Sequence, residues 1–170
     1  QRHITLSTVG LVPAIRRFAD EKLQVGLAIS LHAATDEERS KLLPVNRRWP
    51  LADLIEAVHY YIGQAGRRVT FEWALIAGEN DTPEQAHKLG HLLRGLKCHV
   101  NLIPLNPTSG YAGRPSDPVR VKAFQDILES YRVSSTVRVR RGIDIQAGCG
   151  QLKAEVQSQG KKVRTAEDHD

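Results

Sequence analysis

Cys149 is the residue whose setting speaks most directly of chemistry. It stands in the segment GIDIQAGCGQL, with Gly148 and Gly150 on either side. Flanking glycines let a backbone approach a ligand closely. The sequence allows a helix to begin at Gln151, and Arg138, Arg140 and Arg141 lie just upstream. A thiol near a helix N-terminus and several guanidinium groups has its thiolate favoured, which is a nucleophile's setting. Spacing alone names no general base for it, and a structural thiol is the plain alternative. Cys98, between Leu96 and Val100, reads instead as inert filling at the entry to an apolar run. Two cysteines make at most one disulfide and match no structural zinc pattern, a usage that suits a reducing cytoplasm.

A second set of polar residues sits where β-branched apolar runs end. Ser7 and Thr8 close the first run, Ser30 and His32 the second, and Asn106 the fourth, with Pro104 and Pro107 shaping its exit. In parallel α/β folds ligands bind at the carboxyl ends of the strands. Singly, each of these residues is an ordinary turn or cap former; together they outline one edge of a sheet. Glu72 falls in the middle of the third run. A carboxylate there must either pair with a partner such as an Arg or face a polar cavity.

The elements that must position these residues alternate in type. Strand-like runs span Ile4 to Thr8, Val25 to His32, Arg68 to Ile76, His99 to Leu105 and Ser134 to Val139. Thr35 with Glu38 forms a capping-box pattern, and Pro44 stops the short helix that it opens. Trp49 and Pro50 open a helix with Leu51, Leu54, Ile55, Val58 and Ile62 on one side. Thr82, Pro83 and Gln85 start another, with Ala86, Leu89, Leu92, Leu93 and Leu96 as its stripe and Gly95 near its stop. Asp117 and Pro118 open a helix that buries Val121, Phe124, Ile127, Leu128 and Tyr131. Five strands with helical segments in the four gaps predict an α/β fold, with parallel strands joined by right-handed helical crossovers. Periodicity leaves open whether the sheet closes, and a complete eight-unit barrel needs roughly 250 residues. No repeat or linker precedes about Lys153. Residues 1–152 are expected to form one folded portion, and 153–170 a short helical start followed by a disordered tail.

Composition sets the remaining bounds. The 170 residues are 41% hydrophobic, enough for one packed core. No apolar run approaches the ~18 residues that cross a bilayer, and no signal-peptide pattern opens the sequence, which argues against secretion and against a membrane partner. There are 24 Lys and Arg against 19 Asp and Glu, a net charge of +5. That balance suits a polyanionic partner, with solubilising charge as the plain alternative. The composition contains no Met, and QRHITLST opens as a strand already under way. The sequence is therefore expected to be a fragment of a longer protein.

Four blocks, taken together, carry a resemblance. LSTVGLVP (Leu6 to Pro13), ISLHAATDEERSKLLPVN (Ile29 to Asn46), VNLIPLNP (Val100 to Pro107) and RGIDIQAGCGQL (Arg141 to Leu152) occur in that order. The set resembles the RlmN/Cfr family of radical S-adenosylmethionine RNA methyltransferases and covers residues 1 to about 155. The resemblance implies the C-terminal part of a radical SAM partial (β/α) barrel. It makes Ser7, the segment Ser30, Leu31 and His32, and Asn106 contacts to S-adenosylmethionine, and Cys149 the methyl-carrying cysteine. The family's CxxxCxxC motif for a [4Fe-4S] cluster, its GEP segment, its resolving cysteine and its N-terminal acidic residue have no counterpart here, so no metal ligand is assigned and all of these are expected upstream. Gly148 stands where the family usually has Ala, a small-for-small change.

The chemistry implied is methylation of carbon 2 of adenosine in 23S rRNA and tRNA. That carbon is electron-poor, so it is reached by a radical derived from a methylated cysteine and not by direct displacement. The cofactor and cluster supply the hard steps, while the protein supplies position and exclusion of water. A one-electron donor such as flavodoxin and a cytoplasmic location come with the resemblance. Cfr-like methylation of carbon 8 stays open beside it, as does a non-catalytic basic α/β module that binds RNA. Without cluster ligands the 170 residues alone are expected to be inactive.

Overall fold

Strand order follows chain order in the sheet that these runs build. The computed structural model describes residues 4–104 and 116–138. Its elements are β1 (Thr5–Thr8), α1 (Val12–Asp20), β2 (Gly26–Ser30), α2 (Asp36–Leu42), a 3-10 turn (Pro44–Arg47), α3 (Leu51–Ala65), β3 (Val69–Leu75), α4 (Pro83–Leu93), β4 (Cys98–Pro104), α5 (Pro118–Ser130) and β5 (Ser134–Val137). All neighbouring strands pair in parallel, in the order β1-β2-β3-β4-β5. Right-handed crossovers between consecutive neighbours put every helix on the same face. This is the winding of a (β/α) barrel segment, whereas a doubly wound sheet reverses direction and carries helices on both faces.

The expected start signals operate as hydrogen bonds. The Thr35 hydroxyl accepts from the Glu38 N–H at 3.3 Å, Thr82 from Gln85 N–H at 3.3 Å, and the Asp117 carboxylate from Val119 N–H at 2.7 Å. Helix α3 has no cap from Pro50; Asp36, on α2, accepts the Leu51 N–H at 2.8 Å instead. Strand starts at β1 to β4 and the end of β3 shift by one residue from the sequence reading, and two boundaries differ for a structural reason. Helix α4 ends at Leu93, because Arg94 leaves helical geometry and Gly95 turns with φ +81°, so Leu96 packs from outside the helix. Strand β2 ends at Ser30, two residues early. The tail 153–170, Leu105 and Val139 lie outside the described residues.

Alternation along the strands separates two surfaces. Leu27, Ile29, Val69, Phe71, Trp73, Leu75, Val100 and Leu102 are buried against the helices, meeting Ile15, Leu54, Val58, Leu89, Phe124 and Leu128 in one core. The opposite surface carries Thr5, Ser7, Ser30, Thr70, Glu72, His99, Asn101 and Thr136, none of them buried.

One buried cation joins the carboxyl ends of β1 and β2. Arg39 of α2 is 0% exposed. Its Nη2 donates to the Val9 carbonyl at 2.6 Å and the Ser30 carbonyl at 3.2 Å, and its Nη1 to Asn46 Oδ1 at 2.9 Å. Asn46 in turn donates to the Asp36 carboxylate at 2.9 Å and to the Asp36 carbonyl at 3.2 Å. Gly10 comes directly after Val9 with φ +104°, and a Cβ there would lie 3.1 Å from Arg39 Nη2 and 3.3 Å from Leu54 Cδ1. Both the left-handed backbone and the close approach require glycine.

In the gene product at its full encoded length, Arg39→Met leaves three acceptors without donors and should cost on the order of 3 kcal/mol in urea unfolding; a loss below about 0.5 kcal/mol, typical of a surface change, would contradict the clamp. Glycine-to-alanine changes in two helices should act in opposite directions. A Cβ on Gly90 would sit 2.6 Å from Tyr131 Cγ, while one on Gly63 meets nothing within 4 Å. Gly63→Ala should therefore stabilise by up to about 1 kcal/mol, and Gly90→Ala should destabilise by about 1–3 kcal/mol, read as shifts of the thermal midpoint.

Candidate active site

The polar surface of the sheet forms a cleft of about 500 Å³ lined by Thr5, Ser7, Ala28, Thr70, Glu72, Asn101, Thr136 and Arg138. Register explains the convergence. Ser7 pairs with Ala28, Ser30 with Glu72, Glu72 with Asn101, and Asn101 with Thr136, so inward-pointing residues of five strands lie side by side. Thr136 donates to Asn101 Oδ1 at 3.2 Å, and the His99 ring nitrogens meet Ser134 Oγ at 3.0 Å and Thr136 Oγ1 at 2.9 Å. Burial, reinforced by the positive charge of Arg68, lowers the His99 pKa.

Glu72 takes the second of the two roles its position allowed. It is half-buried and lines the cleft, and among the described residues no ion pair involves it. Its carboxylate faces hydroxyls and an amide, with Arg138 on the same cleft wall. Such a surface offers acceptors to a polyhydroxylated, positively charged ligand.

Ser7 lies in β1 on this surface, and Ser30 closes β2 beside Glu72. Leu31 is fully buried, so its side chain belongs to the core and only its backbone can meet a ligand. His32 does not end a strand: it lies beyond β2 in a left-handed turn with φ +59°. Burial, then the nearby charge of Arg39, lowers its pKa. Asn106 and Cys149 lie outside the described residues, and so do Arg140 and Arg141. Cys98 is buried and free, and burial pushes its thiol up to about 11, consistent with filling and not with nucleophilic chemistry. Among the described residues no group of three or more His, Cys, Asp or Glu side chains is arranged to hold a metal ion. None of their helices is long and apolar enough to cross a membrane.

Sequence reasoning missed Arg39 and Asn80. Arg39 sits in DEERSKL, where charge usually means a solvated helix face, and Asn80 in GEND, where it reads as a turn former. Neither carried a local sign: Arg39 lies nine residues beyond Ser30, and Asn80 follows the apolar end of β3.

No protein-family model matches the chain. It is 62% identical over 161 residues to a protein of Myxococcus xanthus named dual-specificity RNA methyltransferase RlmN 1, covering 95% of this chain and 45% of that one. It is 50% identical over 160 residues to a probable dual-specificity RNA methyltransferase RlmN of Caldanaerobacter subterraneus, covering 94% of this chain and 47% of the relative. The chain thus spans less than half the length of these curated relatives. The crystal structure of a radical SAM methyltransferase from Sphaerobacter thermophilus superposes with a TM-score of 0.84 at 53% identity, over 87% of this chain and 43% of that one. A domain of a pyruvate-formate lyase-activating enzyme from Bacteroides vulgatus, at 16% identity and a TM-score of 0.59, shares the fold alone. Strand order among the described residues and this identity along nearly the whole sequence agree, and the chain belongs to the RlmN/Cfr family.

Proposed function

We propose that this chain forms the C-terminal part, residues 1–152 with a tail at 153–170, of a radical SAM core that methylates carbon 2 of adenosine in 23S rRNA and tRNA through a methylated Cys149. The observation that carries this reading is the 62% identity over 95% of the chain to a protein named as a dual-specificity RNA methyltransferase. The net charge of +5 supports a polyanionic substrate.

The described residues fit S-adenosylmethionine as a ligand. Hydroxyls of Ser7, Ser30 and Thr70 and the amide of Asn101 suit its ribose and amino acid groups, and the Glu72 carboxylate suits its positive charge. When bound, the cofactor supplies a methyl group on a sulfonium. Ser7, the backbone of Ser30 to His32, and Asn106 hold it. Cys149 would be the residue that accepts this methyl group, as a thiolate. The sequence features that support this role are the flanking Gly148 and Gly150 and the upstream Arg138, Arg140 and Arg141. A [4Fe-4S] cluster does not fit the residues of this chain, whose two cysteines are fewer than the three thiolates such a cluster takes in this family. No step here runs through it, and it belongs with the longer protein, as does a one-electron donor such as flavodoxin. The proposed location is the cytoplasm.

In the gene product at its full encoded length, Cys149→Ala should abolish methyl incorporation into RNA while cluster absorption persists. Methylation by that variant above a trace rate would remove Cys149 from the mechanism. Mass spectrometry of the digested product distinguishes carbon 2 from the carbon 8 of a Cfr-like enzyme, and RNA bound without any modification would mark a binding module. Ser30→Ala and Asn106→Ala should each weaken cofactor binding by about 1–3 kcal/mol, with little change in thermal midpoint. Unchanged dissociation constants in both variants would mean that these residues do not hold the cofactor.

A further inference from the structure

Strand β3 outruns β2. The last register pair between them is Ser30 with Glu72, yet β3 continues to Leu75. Beyond that pair the Leu31 and His32 N–H groups both turn to the Glu72 carbonyl, at 3.0 and 3.3 Å, so the two residues that follow β2 oppose one of β3. This is the geometry of a bulge, which bends the strand and re-aims the residues beyond it. On the side toward β2, the backbone of β3 from Ala74 onward then has no strand to pair with.

Two side chains replace the missing rungs. The Ala74 N–H donates to His32 Nδ1 at 3.0 Å. Asn80 Nδ2 donates to the Ala74 carbonyl at 2.7 Å and to the His32 carbonyl at 3.4 Å, while Asn80 Oδ1 accepts from the Ile76 N–H at 2.8 Å. Accepting from a backbone N–H requires a lone pair on Nδ1, so the ring is neutral with its proton on Nε2. The φ of +59° that brings the ring to this place is uncommon for a residue other than glycine, and histidine and asparagine tolerate it better than most.

We propose that His32 is a positioning residue of the cofactor site: its imidazole takes the place of a ladder rung between β2 and β3 and, with Asn80, holds the Ser30–His32 backbone open at the mouth of the cleft without itself touching the cofactor. This rests on the reading that S-adenosylmethionine binds at these strand ends. Asparagine offers Oδ1 at nearly the reach of Nδ1 and accepts the left-handed backbone, whereas alanine supplies no acceptor. Acid should weaken the clasp, because protonating Nδ1 removes its lone pair. Burial and Arg39 both lower the His32 pKa, so the clasp is intact at neutral pH and is lost as pH falls below the ordinary imidazole range. The charged groups around the ring are Arg39, Glu38 and Lys41 from α2 and Glu79 from the turn after β3.

The test is S-adenosylmethionine binding by equilibrium dialysis under anaerobic conditions, from pH 7.5 down to 5.5, with the gene product at its full encoded length. His32→Ala should bind about tenfold or more weakly, the cost of a buried N–H left without an acceptor. His32→Asn should bind at pH 7.5 within about threefold of the wild type and lack the wild type's weakening in acid. Equal loss in the Asn and Ala variants would mean that the imidazole itself contacts the cofactor and would overturn the assignment, as would an Ala variant that binds normally. If His32→Ala does not fold, the Asn variant decides alone: retained binding with a flat acid limb supports the clasp, and lost binding overturns it. A wild-type protein that binds no S-adenosylmethionine would instead overturn the functional reading on which the clasp rests.

Discussion

A guanidinium buried among neutral acceptors is the constraint on which the strand ends depend. Arg39 reaches the turn after β1, the last residue of β2 and the 3-10 turn before α3 from one point. A charge so fully withdrawn from water is tolerated only where hydrogen bonds meet most of its donors. That demand fixes the carbonyls of Val9 and Ser30 relative to one another, and with them the two serines, Ser7 and Ser30, on the polar surface. Gly10 is then forced, since any Cβ would crowd the guanidinium. The positions of α2 and α3 are set as well, because Asn46 and Asp36 carry the network to the first N–H of α3.

The sheet separates two environments by alternation alone. Trp73 and Phe71 enter the helical layer while Glu72, between them, faces the cleft. Parallel sheets commonly have both faces covered and read as nearly continuous apolar runs. Here one face is polar along all five strands and lines a cleft. The cleft and the core are therefore written into the same strands, one position apart.

Much of this was legible from the sequence, and the exceptions have physical causes. Thr35, Thr82 and Asp117 announce helix starts because capping is local: donor and acceptor lie two or three residues apart. Strand positions were legible because β-branched residues cluster in them. The end of β2 was not, since Leu31 is apolar and buried like its predecessors, and only the bulge opposite Glu72 separates it from the ladder. Arg39 was illegible because its partners come from three separate segments. Glu72 stood out for the opposite reason, as a carboxylate with no local excuse. Of the site residues inferred from the resemblance, Ser7 and Ser30 share the polar surface, whereas Asn106 and Cys149 lie outside the described residues.

Burial of Cys98 bears on selectivity among thiols. A thiol within reach of an electrophilic ligand risks being alkylated. With its thiol pushed up to about 11, Cys98 has about one part in ten thousand as thiolate at pH 7. It also stands in β4 among side chains that pack into the helical core, on the far side of the sheet from the cleft. The sheet thus keeps this thiol on the side away from the polar cleft, out of reach of an electrophile that the cleft would hold.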